Sequence, residues 1–295
     1  MADIVIIMNP CAGTRKANKF LADIIKLFTE HGYYSHVYMT SKKGDGVDLA
    51  KNYAKNGDIL VAIGGDGTLN EVIEGIKLAN VDVPIGYIPA GSTNDFANSL
   101  KIPKNIIKAA QNIMEGEAVY LDTGVFNNKV FTYVASFGAF TRISYSTPQN
   151  IKNTFGHFAY VLEGIKDLSS IKSEHLIIET DNTKFEGDYL FGAVCNSTSL
   201  GGVLTIDPSI VDLSDGLLEL VLIKQPKNMF ELNRLVLSLN GQIYDCDMIN
   251  LISTKSIKIH CENKPDWTLD GEYEPGVEDI DIRNSEKAFR IILKK

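Results

Sequence analysis

The sequence predicts two domains in series, an N-terminal α/β domain with a mostly parallel sheet and a C-terminal antiparallel β domain. Three observations predict it. A chain of 295 residues that is 44% hydrophobic is long enough for its core to divide in two. From residue 3 to about 115, short apolar runs alternate with segments of helical period, as in a parallel sheet covered by helices. Beyond about residue 118 the runs grow rich in β-branched and aromatic residues, the texture of antiparallel strands.

Taken in order, Asp3 to Asn9 reads as a first strand. Phe20, Ile24, Leu27 and Phe28 recur at helical spacing, and Gly32 suits a left-handed helix stop. Ser35 to Thr40 is a second strand, Asp45 to Asn56 a second helix, Asp58 to Ile63 a buried strand, Leu69 to Ala79 a helix and Val83 to Ile88 a strand. In the second part, Lys129–Phe137, His175–Glu179, Tyr189–Cys195, Leu217–Ile223 and Ser256–Cys261 read as strands, interrupted by helices near 154–168 and 228–240. The closing strand Ala288–Leu293 can return to either domain. Counted with the first, it gives a domain of residues 1–122 completed by 286–295, and a β-rich domain of 123–285.

The formal charge of -8 argues against a nucleic-acid partner, whose phosphates are met mainly by Lys and Arg. Cys11, Cys195, Cys246 and Cys261 are dispersed, without a CxxC pair, so they suggest neither zinc nor a disulfide framework and fit a reducing cytoplasm. No apolar run approaches the roughly 18 residues that span a bilayer, so membrane contact is expected to be peripheral at most.

Gly64-Gly65-Asp66-Gly67-Thr68 follows a strand and opens a helix, where N–H groups and the helix dipole converge on an anion. Glycines let phosphate oxygens approach the backbone. A tight turn also explains the glycines, and Thr68 with Glu71 spells a capping box. Asp66 asks for more: a carboxylate beside phosphate repels it unless a cation such as magnesium intervenes. No Walker lysine follows. Two further turns, Asn9-Pro10-Cys11-Ala12-Gly13 and Pro89-Ala90-Gly91-Ser92-Thr93-Asn94-Asp95-Phe96, follow other strands of the sheet, where ligands of open α/β sheets bind.

Set together, Asn9-Pro10-x-x-Gly13, Gly64 to Thr68 with Asn70-Glu71, Pro89-x-Gly91 to Phe96, Asp215-Gly216-x-Leu218 and Asp270-Gly271-Glu272 resemble the diacylglycerol kinase catalytic family, soluble bacterial lipid kinases, over essentially the whole chain. The second of these motifs is shared with NAD kinases and phosphofructokinases. The resemblance implies an α/β nucleotide domain followed by a β-sandwich-like domain. It implies that Asn9, Pro10, Cys11, Ala12, Gly13, Thr40, Gly65, Asp66, Gly67, Thr68, Leu69, Asn70, Glu71 and Ser92 contact ATP. It further implies that Asp66, Asp95 and Asp122 organise a catalytic magnesium, and that Asp212, Asp215 and Leu217 hold a structural one. Asp270 and Glu272 are the implied catalytic acids, one of them taking the acceptor's proton; without the resemblance, Asp-Gly reads as a hairpin turn.

The implied reaction is phosphoryl transfer from ATP to diacylglycerol, giving phosphatidic acid. Other lipid alcohols, NAD, and a sensor that has lost catalysis are the competing readings; the segment Pro89 to Phe96 differs from the Gly-rich segment of NAD kinases, and the retained acids speak against the sensor. Arg15, Lys16, Lys19, Lys101, Lys104 and Lys108 suggest docking on the anionic inner face of the membrane. Family members are often dimers, which makes a homodimer a further expectation.

Overall fold

The computed structural model describes residues 2–138, 172–200, 204–241 and 246–294. The helix expected near 154–168 lies outside the described residues. The chain divides into two compact units, Met1–Leu121 with Lys287–Lys295, and Asp122–Glu286.

In the first unit, β1 (Ala2–Met8), β2 (Tyr33–Met39), β3 (Ile59–Gly64) and β4 (Ile85–Pro89) pair in parallel, in the order β2-β1-β3-β4. All six residues of β3 are buried, as expected of a central parallel strand covered on both faces. The register sets Met8 opposite Ile63 and Gly64 opposite Pro89, so β1, β3 and β4 end level. The chain's last strand extends the sheet, with Ile291 parallel to Ile85. Helices α1 (Ala17–Glu30), α2 (Asp45–Tyr53), α3 (Asp66–Ala79), α4 (Asp95–Ser99) and α5 (Ile106–Glu115) connect these strands. Helix α3 buries Leu69, Val72, Ile73 and Ile76, the stripe its period dictates. It begins three residues earlier than the hydrophobic period suggests, because Asp66, Gly67 and Thr68 are helical without being part of that stripe.

The second unit is antiparallel. β5 (Glu117–Phe126) enters it and turns through Asn127 into β6 (Lys129–Phe131). Strands β7 (Val134–Gly138), β8 (Glu174–Thr180) and β9 (Lys184–Cys195) follow, with β10 (Ser199–Leu200) and β11 (Leu204–Thr205) forming a small ladder of their own. Then come β12 (Leu218–Lys224), α6 (Met229–Asn240), β13 (Ile249–Thr254), β14 (Ser256–His260), β15 (Trp267–Leu269), β16 (Glu272–Glu274) and β17 (Asp279–Leu293). The long strand β9 pairs with β8 through its first half and with β7 through its second, while β12 runs along it and carries β13. The core gathers Phe126, Phe131, Phe137, Trp267, Leu220 and Ile282, and the Phe137 and Trp267 rings lie 4.8 Å apart. Each buried ring contributes roughly 2–3 kcal/mol. The strands expected in Lys129–Phe137 are two, because Asp270 takes up the backbone between them.

Candidate active site

Level strand ends bring the three glycine-containing turns together. A Cβ on Gly13 would lie 2.5 Å from the Ala90 carbonyl oxygen, and one on Gly91 only 2.6 Å from the Gly65 Cα. The three backbones are therefore in contact, and any side chain at these positions would separate them. Helix α3 opens directly after Gly65, so its first N–H groups, which have no partner within the helix, emerge at the same edge.

Asp66, buried at the start of α3, accepts the Asp95 N–H on Oδ2 at 2.9 Å and the Phe96 N–H on Oδ1 at 3.3 Å. It thereby clasps the phosphate turn to the N-terminus of α4. The Tyr87 hydroxyl stands 3.4 Å from Asp66 Oδ1, and burial together with that carboxylate pushes its pKa well above the usual phenol value. Asn94 holds the same loop: in a left-handed conformation at φ 54°, it accepts the Gly91 N–H at 2.9 Å and donates to the Gly91 carbonyl at 3.0 Å. Asn9 accepts the Cys11 N–H at 2.9 Å and reaches Thr68 Oγ1 at 3.5 Å.

Of the other nucleotide candidates, Cys11, Gly67 and Ser92 are exposed, Pro10, Gly13, Thr40, Gly65 and Asn70 are half-buried, and Ala12 and Thr68 are buried. Leu69 is wholly buried, which leaves only its backbone for a ligand. Glu71 accepts the Gly44 N–H at 2.8 Å and the Gly46 N–H at 2.9 Å, so its carboxylate caps α2. The capping box suggested by Thr68 and Glu71 does not form, because α3 already starts at Asp66 and Thr68 lies inside it.

In the second unit, Asp270 and Gly271, with φ of 51° and 85°, are the two-residue connection between β15 and β16. The hairpin turn and the acid pair are thus the same residues. The Asp270 carboxylate accepts three backbone N–H groups, from Thr132 at 2.6 Å, Tyr133 at 2.9 Å and Val134 at 3.0 Å. Glu272 is exposed. Asp122 is buried and its Oδ2 accepts the Gly216 N–H at 2.8 Å, which ties it to the segment carrying Asp212, Asp215 and Leu217. Within that segment Asp212 accepts the Ser214 N–H at 3.0 Å and Asp215 the Leu217 N–H at 2.9 Å.

Carboxylate and carbonyl oxygens of Asp212, Asp215 and Leu217 are the hard donors that suit magnesium. Among the described residues no three His, Cys, Asp or Glu side chains stand together as a metal-binding group. Magnesium held there would complete its shell with backbone oxygens and water.

Sequence reasoning missed Tyr87 and Glu219. Glu219 lies in β12, wholly buried, with Ser253 Oγ at 3.5 Å from one carboxylate oxygen and, among the described residues, no partner on the other. Burial, then the charge of Asp215, raises its pKa to about 7. The only signal was an acid inside the apolar run Leu217–Ile223.

The family described as diacylglycerol kinase catalytic domain matches residues 3–126, and that of the YegS C-terminal NAD kinase beta sandwich-like domain matches residues 134–286. A diacylglycerol kinase of Bacillus subtilis (strain 168) is 34% identical over 271 residues, covering 91% of this chain and 89% of that protein. The chain belongs to the diacylglycerol kinase family. Another family member, a diacylglycerol kinase of Staphylococcus saprophyticus, is 33% identical over 91% of this chain and 88% of its own length. The fold is that of a diacylglycerol kinase crystal structure from Bacillus anthracis str. Sterne, with a TM-score of 0.77 at 22% identity over 99% of this chain and 97% of that one. As a member of the diacylglycerol kinase family the protein is a kinase, an α/β domain followed by a β-sandwich-like one. Among the described residues no helix is long and apolar enough to cross a membrane.

Proposed function

We propose that this kinase transfers the γ-phosphoryl group of ATP to the free hydroxyl of diacylglycerol, giving phosphatidic acid and ADP. The observation that carries the reading is the contact of three glycine turns at the level ends of β1, β3 and β4, in a chain 34% identical to a diacylglycerol kinase over nearly its full length.

The turn backbones and the α3 N-terminus supply N–H groups for the phosphates, with Asn9 and Thr68 beside them. Asp66 keeps the 64–68 and 89–96 loops in register, and with Asp95 and Asp122 it would supply carboxylate for a catalytic magnesium. Magnesium, when bound, neutralises charge that develops on the transferred group and on the leaving ADP. The acceptor oxygen forms a bond to the γ-phosphorus, the bond to the β-phosphate bridging oxygen breaks, and the hydroxyl proton passes to a carboxylate. Three N–H groups already occupy most of the roughly four lone-pair sites of Asp270. That favours Glu272 as the proton acceptor and Asp270 as the residue that fixes the hairpin on which it stands.

The lipid is met at an anionic membrane surface from the cytoplasmic side. Arg15, Lys16, Lys19, Lys101, Lys104 and Lys108 are all exposed, and each such cation contributes about 1 kcal/mol of attraction to anionic headgroups.

ADP release measured with magnesium and ATP across diacylglycerol micelles, sphingosine, NAD and no acceptor tests the reading. Turnover with diacylglycerol is expected; turnover with NAD alone, or with no lipid, overturns it. Alanine in place of the six cations is expected to weaken binding to anionic vesicles while nucleotide binding persists.

A further inference from the structure

Two asparagines distant in sequence grip the same loop. Asn196, just past the end of β9 and wholly buried, donates Nδ2 to the Asp122 carbonyl at 2.9 Å and to the Leu213 carbonyl at 3.2 Å. Asn284, in β17, donates Nδ2 to the Leu217 carbonyl at 3.0 Å and lies 3.5 Å from Asp122 Oδ2. Asp122 completes the grip, giving its own N–H to the Leu213 carbonyl at 3.0 Å and accepting the Gly216 N–H at 2.8 Å. The 213–217 backbone is thus held from the inside, while Asp212 and Asp215 face solvent.

The amide oxygens separate a packing role from a positioning one. Oδ1 of Asn196 and Oδ1 of Asn284 are both buried without a hydrogen-bond partner among the described residues. Leaving such an oxygen unpaired is destabilising, and leucine, of similar volume, would avoid it. Turning either amide over would set its oxygen against the loop carbonyls. What the asparagines do in exchange is fix the direction in which those carbonyls point.

We propose that Asn196 and Asn284 are positioning residues that hold the 212–217 loop in its cation-binding shape before the cation arrives. The inference rests on the reading of Asp212, Asp215 and Leu217 as a magnesium site. A ligand loop ordered in advance loses less freedom on binding, and groups that orient a metal's ligands are commonly worth about 10–100-fold in affinity.

Manganese as a paramagnetic probe tests this without turnover. The free-ion electron paramagnetic resonance signal is followed on titrating the parent protein, Asp215→Ala, Asn284→Leu and Asn196→Leu, with circular dichroism and melting recorded metal-free. The parent is expected to bind an ion that magnesium displaces, Asp215→Ala to lose that site, and each asparagine variant to bind about tenfold or more weakly with its metal-free fold intact. Binding by Asp215→Ala equal to the parent's overturns the magnesium reading and the inference with it. Loss in Asp215→Ala alone, with both asparagine variants titrating like the parent, overturns only the inference. Metal-free unfolding of both variants also overturns it, because the amides are then general supports of the unit.

Discussion

At the level ends of β1, β3 and β4 the first unit presents backbone: Gly13, Gly65 and Gly91 pack main chain on main chain, and α3 opens beside them. Around Asp122 and Asp270 the second unit presents carboxylates, each tied down by backbone N–H groups of a distant segment. The difference teaches where substitution is felt. A backbone site fails when a side chain intrudes, and a carboxylate site when charge or tether is lost. Acids in both units also act as clasps: Asp66 on α4, Glu71 on α2, Asp122 on Gly216 and Asp270 on residues 132–134. Glu272, Asp212 and Asp215 are the exposed acids among the candidates.

The largest expected effect tests the carboxylate half. Glu272→Gln should lower turnover by roughly 10²–10⁴-fold with little change in melting temperature, since the side chain is exposed. Asp270→Ala should abolish turnover and also destabilise, leaving three N–H groups without their acceptor. If Glu272→Gln keeps parental turnover while a folded Asp270→Asn does not, the two roles are exchanged.

Next comes the backbone half. In Gly91→Ala the new methyl would stand 2.6 Å from Gly65 Cα, backbone that cannot swing aside. Displacing the two loops by even about 1 Å should lower activity about 100-fold, whereas Gly271→Ala, with open space at its Cβ, should strain only the hairpin. Steady-state assays of both variants compare the two.

A smaller effect concerns pH. Folded Glu219 keeps its proton up to about pH 7, whereas the unfolded side chain releases it near 4.5. The folded state therefore binds more protons between those values, and stability falls as pH rises through the window, levelling off above it. Glu219→Gln removes this loss. Urea unfolding should find the variant more stable than the parent by about 3 kcal/mol at pH 8 and nearly equal to it at pH 4. A difference independent of pH would remove Glu219 as its source.

The smallest is Glu71→Ala, which takes the acceptor from the Gly44 and Gly46 N–H groups. A loss of about 1–2 kcal/mol by thermal unfolding is expected, with nucleotide binding retained. A selective loss of nucleotide affinity would place Glu71 among the ligand contacts as well.

Sequence alone determined the order of strands and helices from β1 to β4, the antiparallel texture of the second unit, and which turns carry the glycines. Those signals are local: a period of 3.6 or 2, a glycine where backbone must pass close, an Asp-Gly pair where a hairpin closes. It also placed the fifteen-residue span of Pro89 to Pro103 only in part, since α4 has too few residues to show a period. The tertiary structure decided what each carboxylate touches. Asp66 meets Asp95, Asp270 meets Thr132, and Asp122 meets Gly216 across long stretches of chain. Tyr87 and Glu219 became visible only there, because burial and the missing partner of an oxygen belong to the packed fold and leave no spacing in the sequence.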